Sequence, residues 1–130
     1  MTKLILLAVG GALGAVLRYA TAGLVHRFLG AGFPWGTLGV NLVGCLLIGF
    51  FWGMTERSPV SPNVQAFVFV GLIGGFTTFS TFGLETLNLL RDGEVLLGIA
   101  NVAASTLLGL LLVFLGLVTA RTLFALVDAP

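Results

Sequence analysis

Three stretches of this chain, residues 28–55, 58–84 and 95–120, contain no charged side chain. Each is longer than the ~20 residues that carry an α-helix across a hydrocarbon core about 30 Å thick. A helix of a soluble domain rarely runs so far without a polar face. Charged residues make up 8% of the 130, where soluble domains carry about 25%, and the mean hydropathy is +1.13. The chain reads as an all-α integral membrane protein with four transmembrane helices, forming one domain over residues 1–130.

Composition also removes function classes. A net charge of +1 supplies no cluster of Lys and Arg for nucleic-acid phosphates. The one cysteine, Cys45, lies in an apolar run without an intrachain partner and reads as a small buried hydrophobe. His26, placed in a loop, has no second ligand nearby, which argues against a metal there. There is no Ser/His/Asp set, Cys/His cluster or phosphate loop, so the chain is not read as an enzyme. Lys3, the apolar run to Leu17 and Ala20-Thr21-Ala22 imitate a signal peptide. Arg18 interrupts that pattern, and the segment is read as a retained first helix.

Helices are expected over about 2–25, 35–54, 63–90 and 95–122, with a turn over 26–34 and a short tail ending at Pro130. Pro59 and Pro62 mark the loop after helix two, and Arg91-Asp92-Gly93-Glu94 forms a tight turn. This threading puts Lys3, Arg57 and Arg121 on one side of the bilayer. Arg27 and Arg91 lie on the other, with Arg18 if it snorkels that way. Orientation follows the Lys and Arg excess in short loops, and here the two sides balance. Copies are expected in both orientations, and an antiparallel homodimer about a two-fold axis in the membrane plane follows. Gly10/Gly14, Gly49/Gly53 and Gly71/Gly75, each pair four apart, let helix backbones approach in lipid.

Helix three carries the polar stretch Gly74-Gly75-Phe76-Thr77-Thr78-Phe79-Ser80-Thr81-Phe82 in mid-membrane. Adjacent glycines and four hydroxyl residues are poor helix formers, so a true break is expected there in preference to the alternative, a kinked but intact helix with Thr hydroxyls bonded to preceding carbonyls. Each freed backbone group costs several kcal/mol in hydrocarbon unless protein, water or an ion satisfies it. Phe79 and Phe82 are three apart and face one side. They are either ordinary apolar rings or rings whose positive edges meet a small anion. Thr37 and Asn41 share a face of helix two, as interhelical glue or as pathway residues. Asn101, Ser105 and Thr106 form a polar group on helix four. Arg18, a permanent cation within a span, requires an acceptor or a wet vestibule. Glu85, near the end of helix three, is the only acidic residue within a span. Neutral donors and one cation suit a small hydrated anion, whose water shell they replace without holding it too tightly.

The string Gly71 through Phe82 resembles the microbial fluoride channel family, Fluc or CrcB. So do Gly10-Gly11-Ala12-Leu13-Gly14-Ala15 before Arg18-Tyr19, and Gly36-Thr37-Leu38 with Val40-Asn41 and Gly44. The resemblance covers nearly the whole length. It implies a dual-topology antiparallel homodimer in the lipid bilayer of the cell inner membrane, with two pores passively exporting fluoride ion from the cytoplasm. It also implies a structural sodium ion at the dimer centre, held by the carbonyls of Gly74 and Thr77, hard ligands for a hard cation. By the same resemblance Phe79, Phe82 and Asn41 line the pore, Ser80, Thr81, Ser105 and Thr37 supply track hydroxyls, and Arg18 is the vestibule arginine. Two positions depart from the pattern: Asn101 stands where some relatives carry an aromatic hydroxyl, and Gly109 where some carry serine. Two other classes share parts of this description. A small multidrug-type proton antiporter would require a mid-membrane carboxylate in helix one, and a structural membrane subunit would leave the break unexplained.

Overall fold

The computed structural model describes residues 1–30 and 32–127. Four helical spans follow one another: α1 (Thr2–Leu29), α2 (Trp35–Thr55), a third span over Pro62–Arg91, and α6 (Val95–Val127). The third span is composite. It comprises α3 (Pro62–Val64), a π-helical segment (Gln65–Ile73), α4 (Gly74–Phe76) and α5 (Phe79–Arg91).

Two helices run further than the sequence suggests. α1 passes through His26 to Leu29 instead of ending near 25, because Val25-His26-Arg27-Phe28-Leu29 contains no breaker. It stops at Gly30, whose φ of 78° suits glycine and whose N–H donates to the His26 carbonyl at 3.0 Å. His26 is therefore helical and not a loop residue. α6 continues past 122 to Val127, since the Thr122 hydroxyl donates back to the Val118 carbonyl at 2.8 Å without breaking the helix. Residues 128–130 of the expected tail lie outside the described residues. The third span begins at Pro62, where proline fits the first helical turn and Ser61 Oγ accepts the Val64 N–H at 3.3 Å. Gly93, at φ 83°, turns the chain into α6.

The spans pack as two parallel pairs. In the first, Gly49 of α2 lies against Val113 of α6, and Gly116 lies against Leu46. A Cβ on either glycine would overlap the facing carbonyl oxygen. In the second, a Cβ on Gly10 of α1 would sit 2.6 Å from the Phe67 carbonyl, and one on Gly71 would sit 2.9 Å from that of Leu7. In lipid no hydrophobic effect drives helices together, so contact of this closeness, through dispersion, supplies the attraction. The core inside one chain is correspondingly thin. Val40 and Ala120 are fully buried, whereas Leu110 is 68% exposed and Phe114 60%. Such a surface is stable only with acyl chains or another apolar partner against it.

By length α1 reaches about 42 Å and α6 about 50 Å at 1.5 Å per residue, more than a hydrocarbon core of about 30 Å. Their ends therefore tilt or emerge. At one such end Arg121 donates two hydrogen bonds to Glu56, both at 2.8 Å, and the Arg57 guanidinium lies 5.5 Å from the centre of the Phe124 ring. These contacts clasp the parallel ends of α2 and α6 at the same membrane face.

Candidate functional site

The break in the third span is narrower than the interval 74–82. Gly74–Phe76 remain helical and α5 resumes at Phe79, so only Thr77 and Thr78 leave the helix. Both are extended, with φ −80°, ψ 159° at Thr77 and φ −148°, ψ 117° at Thr78. The glycine pair does not unwind. Asn41 of α2 decides the position, because its amide replaces helical partners on both sides of one residue. Its Oδ1 accepts the Thr78 N–H at 2.8 Å and its Nδ2 donates to the Thr78 carbonyl at 3.0 Å. Thr78 in turn starts α5, its Oγ1 accepting the Thr81 N–H at 3.3 Å and donating to Thr81 Oγ1 at 3.0 Å. Gly44, one turn beyond Asn41, makes room for this: a Cβ there would overlap the Thr77 methyl group.

These bonds have a consequence for two carbonyls. In an unbroken helix the Thr78 N–H would serve Gly74, and the Thr81 N–H would serve Thr77. Asn41 and the Thr78 hydroxyl take those donors instead. The Gly74 and Thr77 oxygens thereby lose those two donors, and carbonyl oxygens of this kind suit a hard cation. The Ile73 carbonyl, by contrast, receives both the N–H and the hydroxyl of Thr77, at 3.0 and 3.1 Å.

Two clefts meet at Thr78. The first, about 340 Å³, is lined by Asn41, Cys45, Gly74, Thr77, Phe79, Phe82 and Ser105 among others. The second, about 260 Å³, holds Arg18 beside Tyr19, Thr37, Val40 and Thr81. Thr78 borders both. The structure thus brings Asn41, Phe79, Phe82, Ser105, Gly74 and Thr77 together, and places Arg18, Thr37 and Thr81 on the other side of Thr78. Ser80 stands exposed, its Oγ 3.5 Å from Thr78 Oγ1. Phe79 and Phe82 have ring centres 5.5 Å apart, tilted by 49°. Phe79 is 84% exposed, an aromatic ring projecting from a face that a single chain leaves uncovered. Ser105 Oγ is buried with no hydrogen-bond partner among the described residues.

Several participants escaped the sequence reading. Thr78 is the pivot, and its signal was a threonine, a favoured N-cap residue, at the start of the resumed helix. Glu85 does not line the second cleft but is tied to it through Thr37, which donates to its Oε1 at 2.9 Å, while its Oε2 is buried without a partner among the described residues. Asn101 lies off the clefts. It donates to Thr86 Oγ1 at 2.8 Å, and Thr86 donates to the Phe82 carbonyl at 2.8 Å, so this amide ties α6 to α5. The π-helical segment was not foreseen. Such segments often stand beside functional sites, and this one leads straight into α4.

Comparison with known sequences meets this geometry. The profile of the family described as "CrcB-like protein, Camphor Resistance (CrcB)" matches residues 5–117. The fluoride-specific ion channel FluC of Parabacteroides distasonis is 44% identical over 98% of this chain and 99% of its own length. The protein of the same name from Salinibacter ruber is 49% identical over 89% and 87%, and that from Magnetococcus marinus 49% over 88% and 94%. A multi-pass membrane chain, broken in its third span and matched almost end to end by these proteins, belongs to the CrcB-like family.

Proposed function

We propose that two antiparallel copies of this chain form a fluoride-selective channel that lets fluoride leave the cytoplasm passively. One observation carries the reading: neutral donors and a permanent cation stand about a helix break bordered by two clefts, and among the described residues no carboxylate lines the cleft that holds the break's phenylalanines. Neutral donors substitute for a small anion's hydration without trapping it. The anion would pass from the Arg18 cleft, past Thr81 and Thr78, to Asn41, Phe79, Phe82 and Ser105. The Asn41 amide, fixed by its two bonds to Thr78, keeps the passage open at the break. The edges of Phe79 and Phe82 carry partial positive charge, and they exclude water from the anion's flank.

The dimer belongs to the same proposal. Phe79 projects from an uncovered face, and the evenly divided Lys and Arg allow both orientations in the membrane. The Gly74 and Thr77 carbonyls from each copy would hold a sodium ion between the two breaks. Such an ion would offset carbonyl dipoles whose helical donors are taken by Asn41 and by the Thr78 hydroxyl.

Fluoride efflux from proteoliposomes, with chloride as control, tests the reading. Wild-type protein should release fluoride rapidly and chloride hardly at all, and Phe79→Ile or Asn41→Asp should abolish release. A well-folded dimer that releases no fluoride under any gradient would sink the proposal. Gly74→Val tests the sodium site separately. Among the described residues, and apart from the nearby helix backbone, a Cβ at Gly74 meets only the Phe69 carbonyl, at 3.4 Å, so a fall in dimer affinity would report on the ion and the second copy. Unchanged affinity would count against that role.

A further inference from the structure

The parallel helices α2 and α6 each carry a row of positions four apart: Thr37, Asn41 and Cys45 on one, and Asn101, Ser105 and Gly109 on the other. Residues at that spacing stack along one helix face. The α6 row ends without a side chain at Gly109, which is buried. At that point the Cys45 sulfur comes within 3.4 Å of where a Gly109 Cβ would be, and among the described residues no other atom outside α6's own backbone stands within 4 Å of that position. Cys45 also lines the same cleft as Asn41, Thr77, Phe82 and Ser105. In that cleft the buried Ser105 hydroxyl has no partner among the described residues, as a group waiting for a ligand would.

We infer that the Cys45 thiol is a pore-lining donor that stands, at the level of Gly109, where α6 offers no side chain, and that it receives the anion from Ser105. The inference rests on the fluoride-channel reading. An S–H group donates weakly and is polarisable, so it contacts a desolvated anion without arresting it. That balance is what passage through successive sites requires. The competing role for Cys45 is that of a small apolar filler, and the two roles respond differently to isosteres.

The experiment measures fluoride efflux from proteoliposomes containing wild type, Cys45→Ala, Cys45→Ser and the double variant Cys45→Ala/Gly109→Ser. Loss of a weak hydrogen bond corresponds to a slowing of about threefold or more, and that is expected for Cys45→Ala. Cys45→Ser should match or exceed wild type, and the double variant should recover because a hydroxyl at Gly109 enters the vacated space. Should Cys45→Ala fail to form a dimer, wild type capped with methyl methanethiosulfonate replaces it; capping should slow wild type and leave Cys45→Ser unaffected. Cys45→Ala conducting within twofold of wild type overturns the inference. So does a slow Cys45→Ala that neither hydroxyl restores, or undiminished flux after complete capping shown by mass spectrometry. A silent wild type is a different failure, because it removes the channel reading itself.

Discussion

The two halves of α2 meet their neighbours in opposite ways. The second half, through Gly49 and Gly53, lies against α6 so closely that a Cβ at Gly49 would overlap the Val113 carbonyl and one at Gly53 would stand 2.8 Å from Ala120 Cβ. The first half reaches out with polar groups, Thr37 to Glu85 and Asn41 to both sides of Thr78. In lipid both kinds of contact hold helices together, but they tolerate change differently. A dry glycine seam has no slack and no chemistry. The polar half is adjustable and borders two clefts, so it can serve an ion while the seam keeps the helix in place.

Substitutions can break this contrast, beginning with the seam. Gly49→Val should destabilise the protein by about 3 kcal/mol or more, because backbone and not a flexible side chain occupies the space. Thermal unfolding in detergent should show it as lost or aggregated dimer. Asn41→Leu comes next. Leaving the Thr78 N–H and carbonyl unpaired should cost about 2–5 kcal/mol, and fluoride flux should fall in protein that still assembles. If Asn41→Leu retains wild-type flux, the polar half is only glue. Thr37→Val removes one bond to Glu85 and should cost about 1–2 kcal/mol, with a partial loss of flux in the same assay.

Smaller effects sharpen the comparison at its edges. Beyond the end of α2, the hydrogen bonds from Arg121, aided by its charge, hold the Glu56 carboxyl below its ordinary value of 4.5. A depressed carboxylate contributes stability above that value and loses it as pH falls through the folded one. Melting temperature should therefore drop slightly faster below about pH 4.5 in wild type than in Arg121→Gln. Both groups are well exposed, so solvent screening keeps the effect small. Gly23→Ala is the mildest change. Among the described residues nothing outside its own helix backbone stands within 4 Å of a Cβ there, so helix propensity alone should raise stability by at most about 1 kcal/mol. A large loss would mean that another surface covers Gly23.

Much of the fold was legible because its causes are local. The charge-free runs announced the spans, Pro62 and Gly93 marked two connections, and glycines four apart foretold the seams later found at Gly49 and Gly10. The helix ends at Leu29 and Val127 were missed, since no breaker precedes them. Within the site, the residue types were visible and their partners were not. Glu85 looked like a charge near a helix end, yet it takes a hydroxyl from a residue in α2.

The helix break shows the division most clearly. By itself the sequence determined that the third span would fail as a helix somewhere between Gly74 and Phe82, because glycines and hydroxyl residues make that helix weak. Where it fails was decided by tertiary structure. Asn41 is 37 positions away from Thr78 along the chain, and its amide makes the two bonds that the helix would otherwise make. A backbone in hydrocarbon leaves its helix where other groups satisfy it, and only packing brings α2 to Thr78.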